Sequence, residues 1–326
     1  PEIEKQGLST TAEVILGLPG ESYESHIKTL KELVRADINY VRAYTLMLID
    51  GSEMNTPEQR KKWGFKTKFR ILPKDFVKLK NNKTIIETEE VVIATNTLSF
   101  EEYVELRLLA FIMFVTNIGL VFDPLFNFLK EKNIGVFDLF YECLKEKNSA
   151  PNEIIEVFNK FTKSTIEELW DSSEDIQNNF QSEENYQKLL NGEEGINVLQ
   201  HYQAMVIFDN MSKWTKFTLK IAKSLLIKNN EFSKDTQDQF TDVANYCKGL
   251  SFEPLNRNRK NKIPEFTFNY NITKWLKSKE NLEKFKEPMF KIKFSFSENQ
   301  FKLVEDALNL CGDTMVGKSR IFRWIQ

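Results

Sequence analysis

TAEVILGLPGES, residues 11–22, decides how this chain is read. Ala12, Val14, Ile15 and Leu16 make a short apolar run that stops at Gly17, the pattern of a strand over residues 12–18. Ser22 is placed to cap a helix, with Ser25 in its first turn; Ile27, Leu30, Leu33 and Val34 then recur at three- and four-residue spacing. NYVRAYTLML, residues 39–48, reads as a second strand. Strand, loop, helix and strand in so short a span make a βαβ unit with parallel strands. Such a unit implies a covered α/β sheet or barrel. Between strand and helix lies Gly17-Leu18-Pro19-Gly20. The glycines accept backbone angles closed to other residues, and Pro19 fixes its own φ. In parallel α/β folds this strand end is where ligands bind, and a helix start favours anionic groups. Periodicity by itself reads the loop as an ordinary tight turn.

Composition sets the class. The chain has 326 residues, enough for two or three compact units, and a net charge of -2 with a pI near 6.0. That balance excludes a bulk polyanion binder but leaves room for a local basic patch. The 27 phenylalanines point to large aromatic cores. Cys143, Cys247 and Cys311 are odd in number and far apart, so no disulfide framework or CxxC pair follows and a reducing, cytoplasmic compartment is expected. LLAFIMFVTNIGLVF, Leu108–Phe122, is too short to cross a bilayer and reads as a buried helix with its exit, so no membrane span is expected. No secretory leader pattern is visible, and the first residue is Pro1 rather than Met, so the chain is expected to be a piece of a longer protein.

Beyond the opening unit the pattern changes. Pro57 and Pro73 punctuate residues 57–97, and TIIETEEVVIATN alternates like a strand. Ser99 with Glu102 makes a capping box, and helical patterning runs from there to about residue 250. Asp123-Pro124 is expected to start a helix as cap and first residue; Asn148–Asn152, Ser164-Thr165 and Asn191-Gly192 are expected breaks. NRNRKNK, residues 256–262, reads as a linker. EFTFNYNI and FKIKFSF read as strands, followed by a helix through Leu303–Leu310 and a strand-like RIFRWI.

The wider pattern carries a resemblance. EVILGLPGES, followed by INYVRAYTLMLIDGSEM, resembles the late strands of radical S-adenosylmethionine enzymes. The likeness continues through RKKWGFKTKFRILP and ETEEVVIATNTLSFEEYVELR, which resemble the subgroup whose members often carry an N-terminal cobalamin-binding domain. It covers roughly the first third of the chain. The resemblance implies an α/β plus α fold: a remnant of a partial (β/α) barrel, a mainly helical domain and a small α/β end. The corresponding segments are 1–56 for the last barrel strands, 57–97 for a β-rich connection, 98–250 for the helical domain and 251–326 for the C-terminal unit.

The same resemblance implies S-adenosylmethionine and a 4Fe-4S cluster as cofactors. The family's CxxxCxxC loop is absent here, and three scattered cysteines cannot replace it. The cluster ligands are therefore expected outside this chain, and a cobalamin domain, where the subgroup has one, outside it too. Glu13 stands where the family often has an acidic or polar residue facing the cofactor's ribose or methionyl part. Gly17, Leu18, Pro19 and Gly20 match the turn. Arg42, Tyr44, Leu46 and Met47 match the last barrel strand, whose alternate side chains face the lumen. Met47 suits packing near adenine, or plain core. IDGSEM matches a Pro-Gly-Thr type of turn, with Asp50 in place of proline and Ser52 in place of threonine. The implied partners are a small-molecule substrate and a reductant such as flavodoxin or ferredoxin. The expected function is radical-based modification or methyl transfer by the full-length enzyme, the chain alone being inactive. The alternative is a non-catalytic helical binding module fused to a barrel remnant. No catalytic residue is assigned.

Other motifs have plainer readings. RKKWGFKTKFRILPK, residues 60–74, is basic and interleaved with Trp63, Phe65 and Phe69, a combination that suits nucleic acid. The acidic whole-chain balance favours instead a solvated face that pairs with ETEE at 87–90, so no nucleic acid is expected. GDTMVGKS, residues 312–319, fits the P-loop pattern, but a helix precedes it rather than a strand. Gly312 reads as a helix stop, and Lys318 and Ser319 as surface residues in a turn. His26 and His201 are too far apart in sequence to suggest a metal pair.

Overall fold

A computed structural model describes residues 10–38, 40–117, 121–251, 263–295, 297–312 and 314–325. The opening stretch forms β1 (Thr11–Leu16), α1 (Tyr23–Arg35) and β2 (Tyr40–Thr45), a parallel βαβ unit with Glu13 opposite Arg42 and Ile15 opposite Tyr44. Strand alternation sorts the side chains. Val14, Leu16, Val41 and Thr45 are buried on the face that α1 covers with His26 and Leu30. Past β2, Leu46 to Leu48 run antiparallel beside a later strand, with bonds from Leu48 N to Glu90 O (2.9 Å) and Val92 N to Leu46 O (2.9 Å).

That strand belongs to a hairpin. α2 (Pro57–Trp63) comes first, capped by Thr56, begun by Pro57 and stopped by Gly64 in the left-handed region (φ 62). β3 (Lys66–Lys78) and β4 (Thr84–Ala94) follow, antiparallel, with a register shift between Ile71 and Phe76. Pro73 sits in that shift, because proline has no N–H to give the ladder.

The helices are α3 (Phe100–Asn117), α4 (Asp123–Glu131), α5 (Val136–Lys145), α6 (Asn152–Glu167), α7 (Ser173–Asn179), α8 (Glu183–Asn191), α9 (Val198–Met205), α10 (Met211–Lys228) and α11 (Lys234–Leu250). A π-helical turn, Val206–Asn210, joins α9 to α10. Then come β5 (Glu265–Tyr270), the short α12 (Ile272–Trp275), β6 (Lys286–Lys293), α13 (Glu298–Cys311) and α14 (Met315–Ile325).

The fold is mixed α/β and mainly helical, as the α/β plus α reading requires. Among the described residues its sheets are three two-stranded pairs, and none closes into a barrel. The chain divides into two compact units, Pro1–Phe111 with Phe158–His201 and Ile112–Val157 with Tyr202–Gln326. The helical run 98–250 is thus shared between both.

In the first unit, Ile71, Ile86, Ile176, Phe180 and Leu189 form a core between the β3–β4 hairpin and the helices α7 and α8. The open edge of β4 is closed by side chains. Gln181 accepts from Thr84 N (3.0 Å) and donates to Thr84 O (2.9 Å), and Gln177 does the same at Ile86. In the second unit α10 buries Trp214, Phe217, Ile221 and Leu225 along one face. Two carboxylates anchor its β5–β6 region: Asp242 accepts from Asn269 N (2.6 Å) and Tyr270 N (2.8 Å), and Glu131 accepts from Trp275 Nε1 (2.6 Å) and Leu282 N (3.0 Å).

Several local expectations need correction. Ser164-Thr165 does not break a helix: α6 runs through it, because Thr165 continues the buried stripe of Ile154, Val157, Phe158 and Phe161. Asp123 is the first residue of α4 rather than its cap, which is Phe122. Residues 57–97 hold a helix as well as strands. RIFRWI lies within α14, not a strand. The expected linker at 256–262 lies outside the described residues.

Candidate functional site

The loop after β1 is closed by its own chain. Gly17 and Gly20 have φ of 93 and 77, the left-handed side that glycine tolerates. Glu21, which no sequence pattern marks, turns back on this loop. Its Oε2 accepts from Gly17 N at 2.7 Å, and its Oε1 lies 2.8 Å from Nδ1 of the fully buried His26. Thr97 Oγ1 donates to Glu21 O at 2.6 Å. Ser22 and Ser25 form a reciprocal capping box at the start of α1. The residues that make this contact are close in the chain, a carboxylate four residues after Gly17 and a histidine five further on. A bond back across a turn, however, has no periodicity to reveal it.

The expected site residues separate into two groups. Glu13, Arg42 and Tyr44 alternate to the same face of the β1–β2 pair, opposite α1, with Ile15 and Tyr40. Tyr44 Oη approaches Glu13 Oε1 at 3.4 Å. This face is open: Ile15, Tyr40 and Tyr44 are 40%, 39% and 47% exposed. Leu18 is exposed and Pro19 half-buried in the turn at its C-terminal end. Met47 lies beyond β2, bridged to Val91, and is 43% exposed, so it is not plain core. Leu46 is buried, against Leu48 and Val92.

The basic stretch spends its arginines on carboxylates. Arg60 binds both oxygens of Glu90, at 2.8 and 2.5 Å, and Thr67 Oγ1 donates to the same carboxylate at 2.5 Å. Burial alone would raise the Glu90 carboxyl, but these bonds outweigh it and hold it below the usual range. Arg70 pairs with Glu89 and, at 3.3 Å, with Glu168, which also faces Arg107 at 3.7 Å. Lys68 pairs with Asp171 and Lys78 with Glu183. The expected pairing with ETEE is present at Glu89 and Glu90.

The P-loop look-alike is not a turn. Lys318 and Ser319 lie within α14, Ser319 is buried, and Lys318 Nζ lies 3.2 Å from Asp209. Gly312 ends α13 with φ 83, as expected. Gly317 is a packing glycine: a Cβ there would stand 2.2 Å from Cys311 O. The helix has therefore begun before the lysine, which lies in its first turn rather than after a loop.

Cys143 and Cys247 are buried, and burial pushes the Cys247 thiol up to about 12 and the Cys143 thiol up as well. Among the described residues no group of three or more His, Cys, Asp or Glu side chains could hold a metal ion. No helix among them is long and apolar enough to cross a membrane. No family model matches the chain, and no curated protein matches it.

Proposed function

We propose that this chain is the C-terminal part of a radical S-adenosylmethionine enzyme, with β1, α1 and β2 among the last units of a partial (β/α) barrel. The observation that carries the reading is the open sheet face bearing Glu13, Arg42 and Tyr44 beside the Gly17-Leu18-Pro19-Gly20 turn. In a barrel, the face opposite the helices lines the lumen. A carboxylate, a guanidinium and a phenol there suit a ligand that carries an ammonium, a carboxylate and ribose hydroxyls. Glu13 would accept from the hydroxyls or the ammonium, Arg42 would face the carboxylate, and exposed Leu18 and Met47 would meet the apolar edge of the adenine.

When bound beside a reduced 4Fe-4S cluster, S-adenosylmethionine supplies a 5'-deoxyadenosyl radical; the work left to this chain is binding, orientation and exclusion of water. Its own cysteines do not fit such a cluster, since Cys143 and Cys247 are buried with thiols held protonated. The cluster and any cobalamin would be held by residues outside this sequence, with a flavodoxin or ferredoxin as electron donor.

One observation favours the second reading, a binding module on a barrel remnant. The Gly17 amide is already taken by Glu21, a closed turn that asks for no anion. Expression of the whole open reading frame without oxygen, reduction with dithionite and chromatography for 5'-deoxyadenosine decides between them. The enzyme reading expects 5'-deoxyadenosine, reduced by Glu13→Ala with the fold retained. Its absence from well-folded, iron-loaded protein overturns that reading in favour of the module.

A further inference from the structure

We propose that a cavity in the first unit binds an alkylammonium group, a cation carried on an apolar stem. The cavity has a volume of about 320 Å³, the size of a small-ligand site. Ile71 of β3, Trp170, Ile196 and Val198 supply its apolar lining, and Glu193 and Glu194 supply charge. Glu167 and Glu168 of α6 and its exit complete the acidic side.

Carboxylates on a surface are ordinarily solvated and identify nothing by themselves. Here three features act together. The first is charge balance. Glu168 is matched by Arg70 and Arg107, and Glu167 by Lys163 at 3.6 Å. Glu193 receives only the neutral amide of Asn191 at 3.3 Å, and among the described residues no ion pair reaches Glu193 or Glu194. Glu194 is half-buried, and burial raises its carboxyl above the usual range, with Lys188 lowering it only in part and Glu193 raising it further. A bound cation would relieve Glu194, with the exposed Glu193 adding its charge at the mouth.

The second feature is the ring. Trp170 is held by backbone bonds to Phe69 at 2.9 and 2.7 Å and by an edge contact with Phe180 at 6.0 Å. A fixed indole beside carboxylates attracts a cation through its face and an aliphatic stem through its area. The third is the seating of the acidic loop. Gly195 has φ 64, and a Cβ there would stand 2.9 Å from Leu189 and 3.3 Å from Ile71. The segment 193–196 is thus pressed onto β3, which holds the two carboxylates next to the apolar wall. An anion would be repelled, and a neutral ligand would leave the charge uncompensated.

The alkylammonium could come from a free amine or from a lysine side chain of another protein. This proposal does not rest on the radical enzyme reading. Its test is calorimetric titration of the whole chain with cadaverine, with acetyl-lysine methylamide and with pentanol. The expected result is saturable binding of at least one amine, weakened by added salt, with no binding of pentanol. In Glu193→Gln/Glu194→Gln, which keeps shape and is checked for fold by circular dichroism, affinity should fall about tenfold or more. Tighter binding of acetyl-lysine methylamide assigns a protein side chain, and tighter binding of cadaverine a free amine. Pentanol binding as tight as cadaverine, amine binding unchanged in the folded double variant, or no saturable binding of either amine overturns the proposal.

Discussion

Glu21 joins two groups that the chain brings together at the start of α1: its Oε1 lies 2.8 Å from His26 Nδ1 while its Oε2 accepts from Gly17 N at 2.7 Å. One carboxylate thus serves a buried amide and the Nδ1 of a buried imidazole. Glu21→Ala should leave both unpaired and cost about 1–3 kcal/mol, whereas Glu21→Gln keeps an acceptor for Gly17 and should cost less. Urea denaturation of the two variants checks this; equal losses would show that the acceptor kept for Gly17 adds no stability, and no loss in either would show that the contact itself adds none.

Glu90 gives a pH dependence. Its carboxyl is held below the usual range in the folded chain, so the folded state gives up that proton more readily than the unfolded state. The pairing with Arg60 and Thr67 therefore stabilises fully above the usual carboxylate range and is lost as pH falls through the folded value. Glu90→Gln should be less stable than wild type at neutral pH, and the gap should close in acid. Thermal melts across that range read it directly, and a gap independent of pH would contradict the assignment.

Gln177 and Gln181 stand in for a missing strand along β4. Replacing both by Leu should leave the N–H and C=O groups of Thr84 and Ile86 without partners, at about 1–3 kcal/mol for each side chain lost. The exposed edge should also promote self-association. Denaturation and light scattering test the two parts separately.

Gly317 and Lys318 should behave unlike P-loop residues. Gly317→Ala places a Cβ 2.2 Å from Cys311 O and should separate α13 from α14 at a cost of about 1–3 kcal/mol. Lys318→Ala loses the contact with Asp209 and should change stability by about 1 kcal/mol or less. Neither variant should alter ATP binding, because the chain should show none; saturable ATP binding lost in Lys318→Ala would overturn this view of α14.

Local grammar is legible in the order of residues alone. The boxes at Ser22 and at Ser99 with Glu102 and the stops at Gly192 and Gly312 each involve groups within one helical turn, so a short window contains both partners. The βαβ unit is legible because its two apolar periods, that of strand and that of helix, are written along the chain. Tertiary structure decided what those windows omit. It chose which face of β1 and β2 lies under α1, and so put Glu13, Arg42 and Tyr44 together on the other. It carried α6 through Ser164-Thr165, because a buried Thr165 outweighs a weak break signal. It allowed α14, a helix too short to persist alone, by letting Gly317 bring it against α13. It also set Glu21 on Gly17, and Glu193 and Glu194 beside Trp170. Capping and periodicity act between neighbours in sequence, whereas pairing, burial and cavity shape act between neighbours in space, and only the packed chain determines which residues those are.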